Sequence, residues 1–177
     1  QKVLINGAAG GVGTFAVQIA KSFGAIVTGV CSTRNVEMVR SIGADYVIDY
    51  MLEDFTRSEQ KYDIIFDAVG NHSLTGCRRV LNSNGILVLV GGPDKSRFLG
   101  PLSRSLRALV LSRFVSQKMV MLFAVRKKDD LHIIQELLST GKITPVIDKY
   151  YTLNEVPEAI RYLEEGHAKG KVVINVI

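Results

Sequence analysis

The 177-residue chain has little of what marks several protein classes. Its two cysteines, Cys31 and Cys77, are far apart, which argues against a disulfide framework and against a CxxC metal or redox motif. No apolar run approaches the roughly 18 residues that a membrane-spanning helix needs. We therefore expect a cytoplasmic protein with reduced thiols, without membrane attachment and without a metal site in this chain.

Aromatic residues are also scarce, at 7% of the chain, and tryptophan is absent. The net charge is +5, yet residues 95–128 hold nine lysines and arginines and no acidic residue. Within this stretch Arg104, Arg107 and Arg113 alternate with apolar residues, which predicts an amphipathic helix over 102–113. Its basic face is compatible with solvent exposure, a cofactor phosphate, a subunit partner or an anionic lipid surface. No nucleic-acid partner is predicted, because no binding module or aromatic-interleaved basic platform accompanies the charge.

A nucleotide-binding signature opens the chain. Residues 2–6 have the pattern of a buried strand, the segment Ala8-Ala9-Gly10-Gly11-Val12-Gly13 follows at once, and a helix is predicted over 12–23. Glycines let a pyrophosphate approach backbone amides that a Cβ would cover, and the helix offers free N–H groups and its positive dipole end. This order predicts a dinucleotide site, with an empty glycine turn as the alternative. The residues expected to contact the cofactor here are Ala9, Gly10, Gly11, Val12 and Gly13.

Two details of this segment lead to further expectations. Ala8 stands where the first glycine of a G-x-G-x-x-G fingerprint is expected. One helical face is expected to pack on the sheet, because its residues recur at helical spacing. The residues on that face are Val12, Ala16, Ile19, Ala20 and Phe23.

An acidic residue is missing where NAD sites usually have one. NAD-binding folds place a carboxylate near the end of the second strand, about 20 residues after the glycines, but the first acidic residue of this chain is Glu37. The second strand instead leads into Ser32, Thr33, Arg34 and Asn35. Hydroxyl donors and a guanidinium suit a ribose 2′-phosphate, which a carboxylate would repel. We therefore predict NADP(H) rather than NAD(H), with a solvated Arg34 as the alternative.

Apolar segments alternate with amphipathic ones, which predicts an α/β Rossmann fold: a doubly wound parallel sheet of about six strands with a C-terminal helix-strand extension. The carboxyl ends of parallel strands line the ligand crevice, so loops 67–71 and 91–96 should border the ribose and nicotinamide. The predicted strands span 2–6, 25–30, 45–48, 62–67, 85–90 and 118–124, and the helices 12–23, 35–42, 72–81 and 102–113. In the extension we predict helices over 129–140 and 156–165 and strands over 146–151 and 171–176.

Several motifs together resemble the zinc-independent quinone oxidoreductase (zeta-crystallin-like) branch of the medium-chain dehydrogenase/reductase superfamily. The resemblance covers nearly the whole chain, but such enzymes often carry a lysine where Asn35 stands. The motifs are AAGGVG at 8–13, VQIAK at 17–21, GAD at 43–45, VIDY at 47–50, FDAVG at 66–70 and GKVV at 170–173.

The resemblance implies further cofactor contacts. Tyr50 would lie against the adenosine end of NADPH, unless it is only a surface tyrosine after a strand. Leu122 and Phe123 would reach the nicotinamide from the sixth strand. Two glycine-containing loops would also border the cofactor, through Ala68, Val69 and Gly70 and through Gly91 and Gly92.

The resemblance also implies a domain organisation. Residues 1–125 would form the NADP(H)-binding Rossmann domain, and residues 126–177 would complete a GroES-like catalytic domain that this chain lacks. Such a fragment is expected to bind cofactor, to turn over little or nothing, and to associate with itself as a homo-oligomer through an exposed apolar face. The intact protein would transfer hydride from NADPH to a quinone or an α,β-unsaturated carbonyl. We assign no catalytic residue, because His72, His132 and His167 are isolated.

Other functions compatible with the sequence are a non-catalytic NADPH sensor or scaffold, and a zinc-dependent alcohol dehydrogenase with its ligands in the missing domain. A short-chain dehydrogenase is not supported, because no tyrosine has a lysine four positions further on.

Overall fold

The computed structural model describes residues 1–90, 116–122, 125 and 127–176. Within them, six strands form one sheet in the order β3-β2-β1-β4-β5-β6, and every neighbouring pair is parallel. This is the Rossmann strand order, so the predicted fold class is confirmed. The strands are β1 (Lys2–Asn6), β2 (Ile26–Cys31), β3 (Tyr46–Asp49), β4 (Tyr62–Asp67), β5 (Leu81–Leu89) and β6 (Lys118–Met121).

Short helices connect the strands, and a smaller unit follows the sheet. In this unit two parallel strands pair with each other, which matches the predicted C-terminal extension. No helix in the described part of the chain is long and apolar enough to cross a membrane. The helices are α1 (Gly13–Ser22), α2 (Val36–Ser41), α3 (Leu74–Arg79), α4 (Lys128–Ser139) and α5 (Val156–Glu164), and the two further strands are β7 (Ile147–Thr152) and β8 (Lys171–Asn175).

Both faces of the sheet carry apolar core, because successive side chains of a strand point to opposite sides. On one face Leu4, Ile65 and Leu87 pack together with residues of α3. On the other face Val3 and Ile5 belong to the cluster that contains residues of α1 and α2. The long apolar runs of β1 and β4 are therefore explained by burial on two sides, as expected of central parallel strands.

Element boundaries differ from the predictions at a few places. β5 begins at Leu81 rather than at residue 85, because the buried Leu81 pairs with Tyr62 before a register shift. α3 begins at Leu74 rather than at residue 72, because Ser73 caps it by accepting a 3.0 Å hydrogen bond from the Gly76 amide. The helix predicted over 102–113, and with it most of the basic stretch, lies outside the described residues.

The predicted core-facing side of α1 is confirmed for Ala16 and Ala20, which pack against the core cluster, but not for its two ends. Val12 and Phe23 are exposed, at 51% and 76%, whereas Thr14, Val17 and Gln18 are buried. Gln18 is buried because its side-chain amide donates to the Thr144 carbonyl (2.9 Å) and accepts from the Thr144 amide (2.7 Å). The covered face of this helix therefore also includes the polar residues Thr14 and Gln18, which a count of apolar residues alone does not show.

Candidate functional site

A cleft of about 610 Å³ lies at the carboxyl ends of β1, β2 and β4, a volume typical of small-molecule and cofactor sites. It brings together most residues predicted to bind a cofactor, from parts of the sequence that are far apart. The predicted residues that line it are Ala9, Gly10, Gly11, Val12, Gly13, Ser32, Arg34, Asn35, Tyr50, Ala68 and Val69. The other lining residues are Asn6, Gly7, Val30, Cys31, Asn71, Val90, Gly166, His167 and Ala168.

The glycine loop between β1 and α1 is tightly folded. Gly7, rather than the residue at position 8, takes the left-handed conformation, with φ of +88°, and its carbonyl accepts from the Gly10 amide at 3.1 Å. Ala8 is fully buried, and a Cβ on Gly13 would overlap the Gly7 carbonyl. The alanine in the fingerprint is therefore compatible with the turn, because the preceding glycine makes the bend.

α1 presents an open N-terminus to this cleft. The helix begins at Gly13, the preceding Val12 makes no side-chain cap, and no acidic residue occupies the first turn. The first-turn amides of a helix lack intrahelical partners, and together with the helix dipole they favour an anion. The glycine cradle and this helix end therefore fit the pyrophosphate of a dinucleotide.

The turn after β2 carries the residues predicted to select the cofactor. Arg34 lies in a 3₁₀ turn (Thr33–Asn35), and its Nη2 donates to the His167 carbonyl at 3.2 Å. Asn35 is buried and donates from Nδ2 to Ser32 Oγ at 3.2 Å, while its Oδ1 makes no hydrogen bond in the described part of the chain. Thr33, which was also predicted to bind here, does not line the cleft.

The charge of the cleft has one sign. The described residues that line it include Arg34 and His167, and none of them is an aspartate or a glutamate. This lining favours an anionic ligand, because it contributes the positive charge of Arg34 and no carboxylate side chain. The unpartnered Asn35 Oδ1 and the glycine cradle are the features that a bound dinucleotide could complete.

A buried polar network supports the loop after β4. Asp67 Oδ1 accepts hydrogen bonds from the Gly70 amide (2.8 Å) and from Asn6 Nδ2 (2.8 Å), and Asn6 Nδ2 also donates to Asn71 Oδ1 (2.9 Å). Asp67 and Asn6 are both buried. Gly70 does not itself line the cleft; with φ of +75° it allows the turn that presents Ala68 and Val69.

Two further lining residues stand at the ends of β2 and β3. Tyr50 is half-exposed, and its amide donates to the Cys31 carbonyl at 3.0 Å. Burial, with a smaller contribution from the negative charge of Asp49, raises the pKa of the Cys31 thiol to about 11. Cys31 is therefore a neutral thiol at physiological pH and not an activated nucleophile.

Some predicted residues are not brought to this cleft. Leu122 is half-exposed beside the end of β5 and does not line it. Gly91, Gly92 and Phe123 lie outside the described residues. Residues 1–90, 116–122, 125 and 127–176 contain no group of three or more histidine, cysteine or acidic residues that could hold a metal ion.

The loop that contains Gly166, His167 and Ala168 was not predicted as part of the site. It reaches the cleft from the C-terminal unit, and the Arg34–His167 contact spans 133 positions of sequence. No local pattern reports such a contact. By contrast, Asn6, Val30 and Cys31 could have been found, because the carboxyl ends of parallel strands border the crevice.

Comparisons with known proteins agree with this architecture. A family model described as "Zinc-binding dehydrogenase" matches residues 42–174. The mouse protein named "NAD(P)H oxidoreductase RTN4IP1, mitochondrial" is 38% identical over 191 residues, covering 100% of this chain and 48% of its own length. "Quinone-oxidoreductase QR1, chloroplastic" of Triphysaria versicolor is 33% identical over 179 residues, covering 98% of this chain and 52% of that protein.

A solved structure extends the likeness to the fold. The quinone oxidoreductase from Coxiella burnetii superposes with a TM-score of 0.84 at 29% identity, covering 99% of this chain and 53% of that one. The chain therefore spans about half the length of the relatives it matches. The resemblance to the quinone oxidoreductase branch is confirmed by these relatives.

Proposed function

Because this chain belongs to the zinc-binding dehydrogenase family, we propose that it is the NADP(H)-binding part of an oxidoreductase. The observation that carries the proposal is the juxtaposition in one cleft of the glycine loop, the open end of α1 and Arg34, without an acidic lining residue among those described. Nicotinamide cofactors are named for the mouse relative, which supports the cofactor class.

The lining residues have distinct expected roles. Amides of residues 11–13 would hold the pyrophosphate beside Ala9 and Gly10, and Arg34 with Ser32 would hold the ribose 2′-phosphate. Asn35 Oδ1, which has no partner among the described residues, would accept a hydrogen bond from the ligand. Tyr50 would flank the adenosine, and Ala68 and Val69 would border the nicotinamide half. For Thr33, Gly70, Gly91, Gly92, Leu122 and Phe123, contact with the cofactor stays a prediction.

The substrate class follows from the family branch. When bound, the cofactor would supply a hydride, and we propose a quinone or an α,β-unsaturated carbonyl as its acceptor. Two relatives are named as quinone oxidoreductases. A further relative, from Arabidopsis thaliana and 32% identical over 179 residues, is named as an NADPH-dependent alkenal/one oxidoreductase. The residues described here bind and orient the cofactor, and none is assigned to proton transfer.

We expect this chain to bind cofactor but to consume little or none of it by itself, because its substrate-binding residues would lie in a GroES-like domain. The predicted boundary, with residues 1–125 in the cofactor domain and 126–177 completing the other, is part of this proposal. A longer protein that contains this chain should oxidise NADPH when a quinone or enone is added. Cofactor binding without any consumption in that longer protein would instead support a sensor or scaffold.

Arg34 gives the test of the cofactor assignment. Titration of NADPH and NADH into the wild-type chain and the Arg34→Ala variant should show NADPH binding weakened by about 10-fold or more, since one charge-assisted hydrogen bond contributes about 1.5–3 kcal/mol. NADH binding should hardly change. Arg57→Ala is the matched control, because the exposed Arg57 pairs with Asp54 outside the cleft. Unchanged NADPH affinity in Arg34→Ala would contradict the assignment.

We also propose that the chain forms homo-oligomers. Val12 and Phe23 border an apolar groove of about 520 Å³ that runs between α1 and residues of β1 and β4, and large exposed apolar patches often mark protein interfaces. Sedimentation velocity should detect association that Phe23→Ser weakens; a monomer at high concentration would contradict this.

A cytoplasmic location stays a prediction, and the names of the mouse and Triphysaria relatives assign those proteins to mitochondria and chloroplasts.

A further inference from the structure

Arg34 does not stand alone at its end of the cleft. Its Nη2 donates to the backbone carbonyl of His167, and the residues on either side of His167, Gly166 and Ala168, line the same cleft. A long arginine side chain loses rotamer freedom when it binds a phosphate, and a fixed hydrogen bond lowers that loss by ordering the guanidinium beforehand. The ability of Arg34 to hold an anion therefore depends on the position of the 166–168 loop.

That loop is fixed by one carboxylate of the C-terminal unit. Asp148, on β7, accepts at Oδ2 from the Lys169 backbone amide (2.9 Å) and from the Tyr162 hydroxyl (2.5 Å). Tyr162 lies on α5, the helix that leads into the loop. At the far end of the loop the Gly170 amide donates to the Ala9 carbonyl at 2.9 Å. The loop is thus tied to β7, to α5 and to the glycine loop.

The charges around this tie keep it formed over the pH range of ordinary assays. Burial raises the pKa of Asp148, but hydrogen bonds from Tyr162 and Lys169, and the positive charges of Lys169 and Lys149, outweigh it and lower the pKa. The hydrogen bond to Asp148 raises the pKa of Tyr162 to about 12, with smaller contributions from burial and from the Asp148 charge. Asp148 is therefore an ionised acceptor and Tyr162 an O–H donor at neutral pH.

The Tyr162 ring packs with its neighbours independently of its hydroxyl. The Lys149 Nζ lies 3.7 Å from the ring centroid, and the Tyr151 ring centroid is 6.5 Å away. Tyr162→Phe therefore removes the hydrogen bond to Asp148 but keeps the ring that makes these contacts. The positive charge of Arg34 partly opposes the rise in the pKa of Tyr162.

We propose that Asp148 and Tyr162 are positioning residues for cofactor selection: their hydrogen bond holds the 166–169 segment so that the His167 carbonyl orients Arg34 toward a ribose 2′-phosphate. The inference rests on the proposed NADP(H) function and deepens it. According to this proposal, residues of the C-terminal unit help the cleft to distinguish a cofactor with the 2′-phosphate from one without it. Neither residue lines the cleft, so each acts through the loop.

The test is a double-mutant cycle in this chain with NADPH and NADH as ligands. Tyr162→Phe should weaken NADPH binding by about 3- to 10-fold, the range for loss of one hydrogen bond, and should leave NADH binding unchanged. In the Arg34→Ala background, Tyr162→Phe should have no further effect on NADPH, because the two residues act through one interaction. Asp148→Ala, which removes the acceptor of both hydrogen bonds, should reproduce the result. Tyr150→Phe, at an exposed tyrosine of β7, is the control and should bind both cofactors as the wild type does.

The outcomes separate the inference from the function on which it rests. If Arg34→Ala leaves NADPH affinity unchanged, the NADP(H) assignment itself fails. If Arg34→Ala weakens NADPH binding but Tyr162→Phe and Asp148→Ala do not, the positioning role is overturned. Equal weakening of NADPH and NADH in a variant, or an effect that adds fully to Arg34→Ala, shows a general structural role and also overturns it. Thermal unfolding of each variant identifies one that fails to fold, and the other variant of the pair then decides.

Discussion

The amide of Gly170 donates a 2.9 Å hydrogen bond to the carbonyl of Ala9. This bond joins the residue just before β8 to the glycine loop that follows β1. A Cβ on Gly11 would meet the Gly170 carbonyl at 2.9 Å, so the two segments also touch through van der Waals contact. The C-terminal unit therefore forms one wall of the glycine loop. Whatever domain residues 126–177 belong to in a longer protein, they contribute to the cleft described here.

Gly13 is predicted to be intolerant of any side chain. A Cβ there would overlap the Gly7 carbonyl and press on the Ala8 backbone, neither of which can rotate away. Gly13→Val should lower the free energy of unfolding by about 1–3 kcal/mol or more, as overpacking does, and should abolish measurable NADPH binding. Urea denaturation and cofactor titration are the measurements.

Gly10→Ala provides the matched control in the same loop. A Cβ at Gly10 would lie 3.5 Å from the Gly7 carbonyl, which is an ordinary contact, and the backbone of Gly10 is not left-handed. This variant should unfold at nearly the wild-type urea concentration. If it were as unstable as Gly13→Val, the close approach at Gly13 would not be the cause.

Gln18 is predicted to couple the Rossmann sheet to the C-terminal unit. Its side chain donates to the Thr144 carbonyl and accepts from the Thr144 amide, and both bonds are lost in Gln18→Ala. Leaving the Thr144 backbone groups without these partners should cost about 1–3 kcal/mol in the free energy of unfolding. Hydrogen exchange at Thr144 should accelerate in the variant. Gln60→Ala, at an exposed glutamine before β4, should change neither quantity, and protection of Thr144 that survives Gln18→Ala would refute the coupling.

The sheet could be predicted from sequence because each of its signals is local. Alternating apolar strands and helices specify a parallel sheet, and the glycine run marks the first strand-to-helix turn. Loops that follow parallel strands lie together at the carboxyl edge of the sheet. This rule predicts that the loop after β4 borders the cleft, and its residues Ala68 and Val69 do line it.

The parts that could not be predicted depend on contacts between distant segments. Gln18 resembles a surface residue in the sequence, but it is buried by Thr144, which lies 126 positions away. His167 likewise lines the cleft through a contact with Arg34, which lies 133 positions away in the sequence. The role of Gly7 could not be predicted from the glycine fingerprint, because residue type alone does not show which position of a turn takes positive φ. In this structure Gly7 takes it, with φ of +88°.

Cys31 is predicted to react slowly with thiol reagents despite its position at the cleft. Burial, followed by the Asp49 charge, raises its pKa to about 11, and its side chain is almost fully covered. In a Cys77→Ser variant, which isolates Cys31, modification by a disulfide reagent at pH 8 should be far slower than in urea, because the thiolate is the reactive form. Rapid stoichiometric modification of the folded variant would contradict the neutral, buried thiol.

Asp45 is predicted to stabilise the fold in a way that is lost in acid. Asp45 accepts hydrogen bonds from Lys21 Nζ (2.9 Å) and from the Val27 amide (2.7 Å), and these bonds, with that of Lys21 the larger influence, lower its pKa from the ordinary value of 3.8. A carboxyl whose folded pKa is depressed stabilises the fold above its unfolded pKa, and this contribution is lost as the pH falls through the folded value. Asp45→Asn should therefore lower the free energy of unfolding near neutral pH, by no more than about 1 kcal/mol because the pair is partly exposed. The difference from the wild type should shrink only below pH 3.8.

Glu37→Gln, which removes the more exposed pair with Arg40, is the control and should have a smaller effect. Urea unfolding between about pH 2.5 and 7 measures both, and a difference that persists unchanged at the acid end would show that the Asp45 charge is not its source.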